Sequence, residues 1–144
     1  MYARETGSLR ERAAVSQDNV ETIRLMYDAY ARGDLELSLS LLDPEIEFSQ
    51  PEGEPGGGTY FGHEGVARAF ASWTGVWDDY RVEVQELTDL GEHVLARTCH
   101  HGRGKGSGVT VERQIFQLWT VRHDRVVRAR MYYDEADALE AAGS

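Results

Sequence analysis

The sequence lacks the features that would assign it to several broad classes of protein. It has a single cysteine, Cys99, which excludes an intramolecular disulfide and is typical of a reducing compartment. None of its apolar runs approaches the ~18 residues of a membrane-spanning helix. Its first residues, MYARETGSLRERAAVSQ, lack the apolar core of a secretory signal. We therefore expect a cytoplasmic protein with no membrane partner.

Basic residues are also scarce. The 144 residues include 15 Lys and Arg against 25 Asp and Glu, which gives a formal net charge of -10. An acidic surface repels phosphate backbones, so we expect no nucleic-acid partner. The length fits one domain that can bury a core. We expect a flexible leader over residues 1–15 and a single α+β domain over residues 16–144.

The apolar pattern predicts three helices in the first half of the chain. Ser16 can cap a helix over residues 17–32, whose apolar residues recur every three or four positions. Gly33 can end that helix, and Asp34 can cap a second, shorter one. A third helix is predicted over residues 63–75.

The remaining pattern predicts strands. Polar and apolar residues alternate over residues 45–49, and a loop rich in glycine and proline follows over residues 50–59. Four more strands follow, the first of them beginning at Tyr80 after a connector. The last two, VTVERQIFQLWTV and VVRARMYY, flank a turn at residues 122–125 and carry bulky apolar groups on both faces. This order predicts an α+β fold in which helices pack on a strongly curved, mainly antiparallel sheet, with a short C-terminal helix.

Four segments, in this order and at this spacing, resemble one known family. They are YDAYARGDLELSLSLLDPEIEF, YFGHEGVARAF, the turn at residues 91–94 and WTVRHDRVVRARMYYDEADALEAAG. They are similar to the SnoaL-like branch of the nuclear transport factor 2-like fold. The resemblance implies a cone with an internal pocket and a homodimer formed through the sheet. We expect no cofactor. Relatives include isomerases, polyketide cyclases, epoxide hydrolases, dehydratases and non-catalytic binders, so the fold alone does not settle the reaction.

Carried over residue by residue, the resemblance does not supply the familiar catalytic carboxylates. Gln50, before Pro51, stands where isomerase-like members place a general-base aspartate, and glutamine takes no proton at neutral pH. Met131 stands where epoxide-hydrolase-like members place an acid. The oxyanion tyrosine of the isomerases falls near Met26 or Tyr27.

Strand parity and the resemblance together predict which side chains face the pocket. Arg113, Gln117 and Trp119 share one face of their strand, and the resemblance implies that this face lines the pocket together with Met131 and Tyr133. A buried arginine needs a partner, so an inward Arg113 predicts an anionic oxygen on the ligand. Alternatively, Arg113 lies near the strand end and pairs with a neighbouring acid or with solvent.

Cys99-His100-His101 is the most reactive-looking triplet in the sequence. Adjacent strand residues point to opposite faces, so the pocket receives either His100 or the pair Cys99 and His101, and the sequence leaves this open. An inward His101 is a candidate general acid or base, because imidazole titrates near neutrality. The spacing of histidines and acids predicts no metal site.

The candidate site combines a few polar groups with a wide aromatic wall, which suits a small, flat, hydrophobic ligand. The candidate catalytic residues are Gln50, His101, Arg113 and Tyr27. The candidate ligand-binding residues are Met26, Tyr30, Phe48, Gln50, Trp77, Arg113, Gln117, Trp119, Met131 and Tyr133.

Two functions stay open at this stage. One is a cofactor-independent isomerase, cyclase, dehydratase or hydrolase that acts by proton transfer on a polyketide-, steroid- or terpenoid-like substrate. The other is a non-catalytic ligand-binding, dimerisation or scaffold domain.

Overall fold

The computed structural model describes residues 9–53 and 57–143, and the side chains of residues 18–53 and 57–143. The helices are α1 (Leu9–Ala31), α2 (Leu35–Ser40), α3 (Gly62–Thr74) and α4 (Glu135–Gly143). The strands are β1 (Leu42–Gln50), β2 (Gly58–Phe61), β3 (Trp77–Leu90), β4 (His93–Gly104), β5 (Thr110–Arg122) and β6 (Arg125–Tyr132). None of the described helices is long and apolar enough to cross a membrane.

The strands form one six-stranded sheet in the order β2-β1-β6-β5-β4-β3. β1 runs parallel to β6, and the other neighbouring strands are antiparallel. The pairing register shifts twice between β3 and β4 and once between β5 and β6. Bulges of this kind bend a strand and increase its twist, which accounts for the curvature of the sheet. The predicted α+β class is confirmed.

Different helices pack on the two faces of the sheet. The inner face packs against α1, α2 and α3, and its core includes Ile23 of α1, Val66 of α3 and Phe48 of β1. On the outer face, an apolar cluster that includes Leu118 packs around Ala138 of α4. α4 therefore shields the apolar outer side of β5 from solvent.

The connection between α1 and α2 follows the predicted signals. Gly33 has a φ of 80°, in the left-handed region that glycine adopts readily. The Asp34 carboxylate accepts a hydrogen bond from the Leu37 backbone N–H at 3.1 Å and thereby caps α2.

The start of α1 differs from the prediction. The helix begins at Leu9 rather than after Ser16, so the predicted cap at Ser16 is wrong. The segment LRERAAV contains leucine, arginine, glutamate and alanine, which propagate a helix well, and no glycine or proline that would stop it. Residues 9–15 of the expected leader are thus helical, and residues 1–8 lie outside the described residues.

One strand and several strand boundaries also differ from the prediction, and β1 itself begins at Leu42 rather than at residue 45. The predicted loop over residues 50–59 contains the beginning of β2, a four-residue strand that pairs with the end of β1. Such a short strand has too little alternation to be visible in the sequence. β3 begins at Trp77 rather than at Tyr80, because a bulge interrupts the alternation that would reveal its first residues. The predicted tight turn between the last two strands is confirmed, with His123 and Asp124 at φ 52° and 63°.

Candidate functional site

A largely apolar cavity, the inner cavity, lies between the helices and the inner face of the sheet. Its volume is about 50 Å³, and side chains from α1–α3, β1, β3, β4 and β5 line it. Pockets that hold drug-sized ligands measure roughly 300–1,000 Å³, so this cavity alone accommodates only part of such a ligand. The predicted site residues that line it are Met26, Tyr27, Tyr30, Phe48, Gln117 and Trp119.

A second cavity, the vestibule, adjoins the inner cavity between α1, α2 and α3. It measures about 290 Å³. The two cavities share Tyr30, Ser38, Leu39 and Phe70 in their walls. The rings of Tyr30 and Phe70 stack with their centroids 5.6 Å apart. Movement of this ring pair would therefore join the two cavities.

A third cavity, the far cavity, lies on the other side of Tyr80 and His100. It measures about 60 Å³, and its wall includes Trp73, Trp77 and Arg113. Tyr80 and His100 belong to the walls of both the inner and the far cavity. This pair therefore separates the two spaces.

Tyr80 and His100 belong to a chain of hydrogen bonds with one consistent direction. The Thr98 hydroxyl donates to the Ile115 carbonyl at 2.9 Å. It is therefore available as an acceptor for the His100 Nε2–H, at 3.1 Å. That assigns the proton of a neutral imidazole to Nε2 and leaves Nδ1 to accept from the Tyr80 hydroxyl. The chain runs from Tyr80 through His100 and Thr98 to the β5 backbone.

Burial keeps both ends of this pair neutral. It lowers the pKa of His100 to about 4, with a smaller contribution from the neighbouring His101. Burial also raises the pKa of Tyr80 above its ordinary value. Near neutral pH the free protein therefore holds His100 as neutral imidazole and Tyr80 as neutral phenol.

Two further polar groups face the inner cavity. The Tyr27 hydroxyl oxygen accepts a hydrogen bond from the Trp119 indole N–H at 3.1 Å, and burial raises the pKa of Tyr27. Gln117 is only 6% exposed, and its Oε1 has no hydrogen-bond partner among the described residues. A buried acceptor without a donor costs about 1–3 kcal/mol. A ligand that donates to Gln117 would remove this cost.

A bulge in β3 brings Tyr80 into the site. Asp78 pairs with Arg103 and Arg81 with His101, so Asp79 and Tyr80 together lie opposite the single residue between them on β4. Asp79 adopts a φ of 53°, which aspartate tolerates better than most residues. The extra residue shifts the alternation, so that Trp77 and Tyr80 both contribute to the wall of the far cavity.

The other predicted site residues lie outside the wall of the inner cavity. Gln50 is 8% exposed at the end of β1. Met131 is half-buried and pairs across the sheet with Gln117. Arg113 is exposed, and its guanidinium carbon lies 3.9 Å from the ring centre of Tyr133. The role of each of these residues in ligand binding stays a prediction.

His101 lies on the outer face of the sheet, so His100 is the histidine in the inner cavity. His101 Nε2 is 3.1 Å from Glu83 Oε1, and its Nδ1 is 3.2 Å from Glu112 Oε2. Cys99 shares this face, and burial together with the carboxylates of Glu112 and Glu83 raises its pKa. The triplet is thus divided between the two faces of the sheet: His100 faces the inner cavity, whereas Cys99 and His101 lie on the outer face. The sequence alone had left open which of these residues faces the cavity.

Tyr80 is the site residue that the sequence did not reveal. Strand parity without a bulge places Tyr80 and Trp77 on opposite faces. The Asp78-Asp79 pair before Tyr80 is a weak signal, because aspartate is among the residues that adopt left-handed conformations.

The comparisons with known proteins agree with this architecture. The family model of the SnoaL-like domain matches residues 23–129, which run from the C-terminal part of α1 into β6 and include the residues that line the inner cavity. The chain belongs to the SnoaL-like family. No significant match to a curated protein was found.

Several solved structures resemble this SnoaL-like protein over nearly their whole length. TerC, co-crystallised with polyporic acid, is 26% identical, with a TM-score of 0.73 over 88% of this chain and 99% of TerC. IdmH from Streptomyces antibioticus, a candidate polyketide cyclase, is 23% identical, with a TM-score of 0.68 over 88% of this chain and 99% of IdmH. An NTF2-like protein from Burkholderia thailandensis is 23% identical, with a TM-score of 0.75 over 88% of this chain and 97% of its own. IdmH and the Burkholderia thailandensis protein, at 23% identity, show a shared fold with this chain and nothing further.

Proposed function

We propose that this SnoaL-like protein binds a small, flat, largely apolar molecule of polyketide-, steroid- or terpenoid-like character in the inner cavity and vestibule. We further propose that it catalyses proton transfer on that molecule without a cofactor. Isomerisation, cyclisation and dehydration are the reaction types that this chemistry covers.

The unpartnered amide oxygen of Gln117 is the observation that carries the binding proposal. Native proteins satisfy the great majority of their buried polar atoms. An acceptor that faces an apolar cavity without a donor therefore indicates a position where a ligand donates. The Tyr27 hydroxyl, already an acceptor from Trp119, retains its hydrogen for a ligand carbonyl. Together the two groups favour a ligand with both a hydroxyl and a carbonyl group.

TerC supports a ligand of this general kind, because it was crystallised with polyporic acid and is 26% identical to this chain. Polyporic acid is accordingly the first probe that we would use.

The Tyr80–His100 pair is the group best placed to move a proton. In the proposed step, a C–H bond next to a ligand carbonyl breaks and its proton passes to the Tyr80 oxygen. The Tyr80 proton passes at the same time to His100 Nδ1. The ligand becomes an enolate, and His100 becomes an imidazolium that still donates to Thr98. The Tyr27 hydroxyl donates to the enolate oxygen and stabilises its charge.

The later fate of the enolate decides the reaction type. Return of the proton to a different atom gives isomerisation, whereas attack of the enolate carbon on a second carbonyl gives cyclisation. The low pKa of His100, about 4, makes the pair a weak base. Each pKa unit of mismatch with the substrate costs about 1.4 kcal/mol. The substrate is therefore expected to carry an acidic C–H, such as one between two carbonyl groups.

Ligand binding is tested with polyporic acid and two glutamine variants on the same strand. Gln117→Leu removes the cavity acceptor, whereas Gln114→Leu alters an exposed glutamine that bonds Gln85 on the outer face. We expect Gln117→Leu to weaken binding at least tenfold and to raise the free energy of unfolding by about 1 kcal/mol. Gln114→Leu should bind like the wild type. Calorimetry and urea unfolding measure both quantities, and equal affinities for the two variants would refute the binding site.

Proton transfer is tested separately from binding. An aryl 1,3-diketone is incubated with the protein in D₂O, and NMR follows deuterium exchange at the carbon between the carbonyls. We expect Tyr80→Phe and His100→Gln to slow the catalysed exchange at least tenfold at saturating ligand. Binding without catalysed exchange in the wild type would favour the alternative function, a non-catalytic ligand-binding protein. That alternative rests on His100 Nδ1 already having a partner in Tyr80.

We also propose that the protein is a cytoplasmic homodimer with its contact surface on the outer face of the sheet. α4 covers the apolar part of that face, so the contact would involve the part toward β1 and β6, where Arg128 is exposed and pairs with Glu47. Native mass spectrometry at micromolar concentration tests the dimer, and a monomer alone would reject it.

A further inference from the structure

Cys99, His101 and Glu83 form a compact group on the outer face of the sheet, away from the inner cavity. One possible ligand atom from each residue lies within 4.8 Å of the others. The group arises from pairing between strands, because Glu83 of β3 lies directly opposite Cys99 of β4. His101 follows two positions later on the same face of β4.

We propose that this group is a zinc site, in which Cys99 Sγ, His101 Nε2 and Glu83 Oε1 bind one Zn²⁺ and a water molecule completes the coordination. Thiolate, imidazole and carboxylate are the ligand types that zinc prefers, and three protein ligands with one open position are a recurrent arrangement. The spacing of histidines and acids along the sequence predicts no such site, because the ligands come from two strands.

The distances are close to those that a zinc ion requires. Zinc bonds of about 2.3 Å to sulfur and about 2.0 Å to nitrogen place tetrahedral ligands about 3.5 Å apart. His101 Nε2 and Glu83 Oε1 are already 3.1 Å apart. The remaining separations are at most 4.8 Å, so zinc binding would draw the Cys99 and Glu83 side chains closer together.

Glu112 supplies the second interaction that a zinc-bound histidine usually makes. Its Oε2 lies 3.2 Å from His101 Nδ1, and Glu112 of β5 pairs directly with His101 across the sheet. Histidine ligands commonly donate their second ring N–H to a carboxylate, which fixes the ring orientation and the tautomer. Glu112 would thus hold Nδ1 protonated and direct the Nε2 lone pair toward Cys99 and Glu83.

Burial and charge also suit an exchangeable divalent cation. The His101 side chain is 13% exposed, whereas those of Glu83 and Glu112 are 55% and 64% exposed. The histidine and the half-buried cysteine form the floor and the carboxylates form an accessible rim. Arg81, which pairs with His101 on the same face, offsets part of the local negative charge.

Metal titration of the chelator-treated protein tests the site. Co²⁺ is added first, because a thiolate ligand gives a near-ultraviolet charge-transfer band, and Zn²⁺ is then added to displace it. We expect this band at one equivalent per chain, its loss on zinc addition and one zinc per chain by native mass spectrometry. Absence of the band at millimolar Co²⁺ would overturn the proposal.

Variants distinguish this site from other metal-binding groups. Cys99→Ser should abolish the band, Glu83→Gln should weaken zinc binding at least tenfold, and Glu112→Gln should weaken it about tenfold. Glu86→Gln is the matched control, because Glu86 lies on the same strand and pairs with Arg97 instead. Circular dichroism verifies that each variant folds. If Cys99→Ser does not fold, Glu83→Gln tests the site instead, because Glu83 is exposed and its substitution should not disturb folding. Equal zinc affinity of Glu83→Gln and Glu86→Gln would contradict the site.

Discussion

Gln117 and Tyr80 both bring a polar group to the apolar inner cavity, but they differ in whether that group has a partner. Tyr80 donates to His100, and the chain of hydrogen bonds continues to the β5 backbone. Gln117 Oε1 has no donor among the described residues. A complete network stabilises the fold, whereas an incomplete one costs stability and offers a ligand contact. The two residues thus have opposite effects on stability.

Tyr80→Phe is expected to lower the free energy of unfolding by about 1–3 kcal/mol, because it leaves His100 Nδ1 buried without a donor. Tyr132→Phe is the control, since the Tyr132 hydroxyl has no hydrogen-bond partner among the described residues, and its effect should stay below about 0.5 kcal/mol. Urea unfolding monitored by fluorescence measures both values. Equal effects for the two variants would mean that the Tyr80–His100 hydrogen bond does not contribute to stability.

At the scale of elements, α4 and the turn between β5 and β6 determine how the last third of the chain packs. α4 places Ala138, which is fully buried, against the apolar outer side of β4 and β5. The turn joins β5 to β6 with two residues at positive φ. Both features can be altered without touching the inner cavity.

Ala138→Glu is expected to destabilise the protein by about 3 kcal/mol or more, because it buries a charge that has no partner beneath α4. Ala136→Glu on the same helix is the control, because Ala136 is exposed in the first turn, where an acidic residue is favourable. Thermal unfolding by calorimetry compares the two. If both variants melt like the wild type, α4 does not cover the outer cluster in solution.

Asp124→Gly is expected to stabilise the protein by about 0.5 kcal/mol. The native φ of Asp124 is 63°, and glycine adopts this conformation without the strain imposed by a Cβ atom. Asp124→Ala removes the same carboxylate but keeps the Cβ atom, so it should not stabilise. Urea unfolding of both variants separates the backbone effect from the charge effect. A gain in stability with alanine as large as that with glycine would assign the effect to charge.

At the scale of the whole molecule, the three helices and the sheet enclose a divided space. The inner cavity measures about 50 Å³ and the vestibule about 290 Å³, and the stacked Tyr30 and Phe70 rings lie between them. A ligand large enough to reach both Gln117 and the vestibule must displace this ring pair. The affinity for large ligands therefore includes the cost of opening the wall.

Phe70→Ala is expected to join the two cavities and to strengthen the binding of a polycyclic ligand several-fold. It should also lower the free energy of unfolding by about 2–3 kcal/mol, because it removes contacts with Tyr30 and Phe48. Phe61→Ala, at a site 64% exposed on β2, is the control and should change neither quantity strongly. Calorimetric titration measures the ligand affinity of both variants, and urea unfolding measures their free energies of unfolding. Weaker binding by Phe70→Ala would identify Phe70 as a ligand contact rather than a barrier.

Local sequence patterns were enough to predict the class of fold. Periodicity placed α3 and the long strands, Gly33 and Asp34 marked the junction of α1 and α2, and the closing hairpin was visible as two apolar runs around a turn. These signals are local, since they depend on neighbours within one or two turns of the chain. Tyr27, Gln117 and Trp119, named as candidate site residues from the sequence, line the inner cavity, and their role in ligand binding stays a prediction.

Which histidine faces the cavity, and which partners it has, depends on contacts between strands. Strand alternation places His100 and His101 on opposite faces of the sheet. Which of them faces the inner cavity depends on how β4 aligns with β3 and β5. A bulge at Asp79 brought Tyr80 to His100, and cross-strand pairing brought Glu83 and Glu112 to His101. Register and bulges are set by contacts between residues far apart in sequence. For that reason the residues proposed for proton transfer and for zinc binding emerged only when the strands were paired.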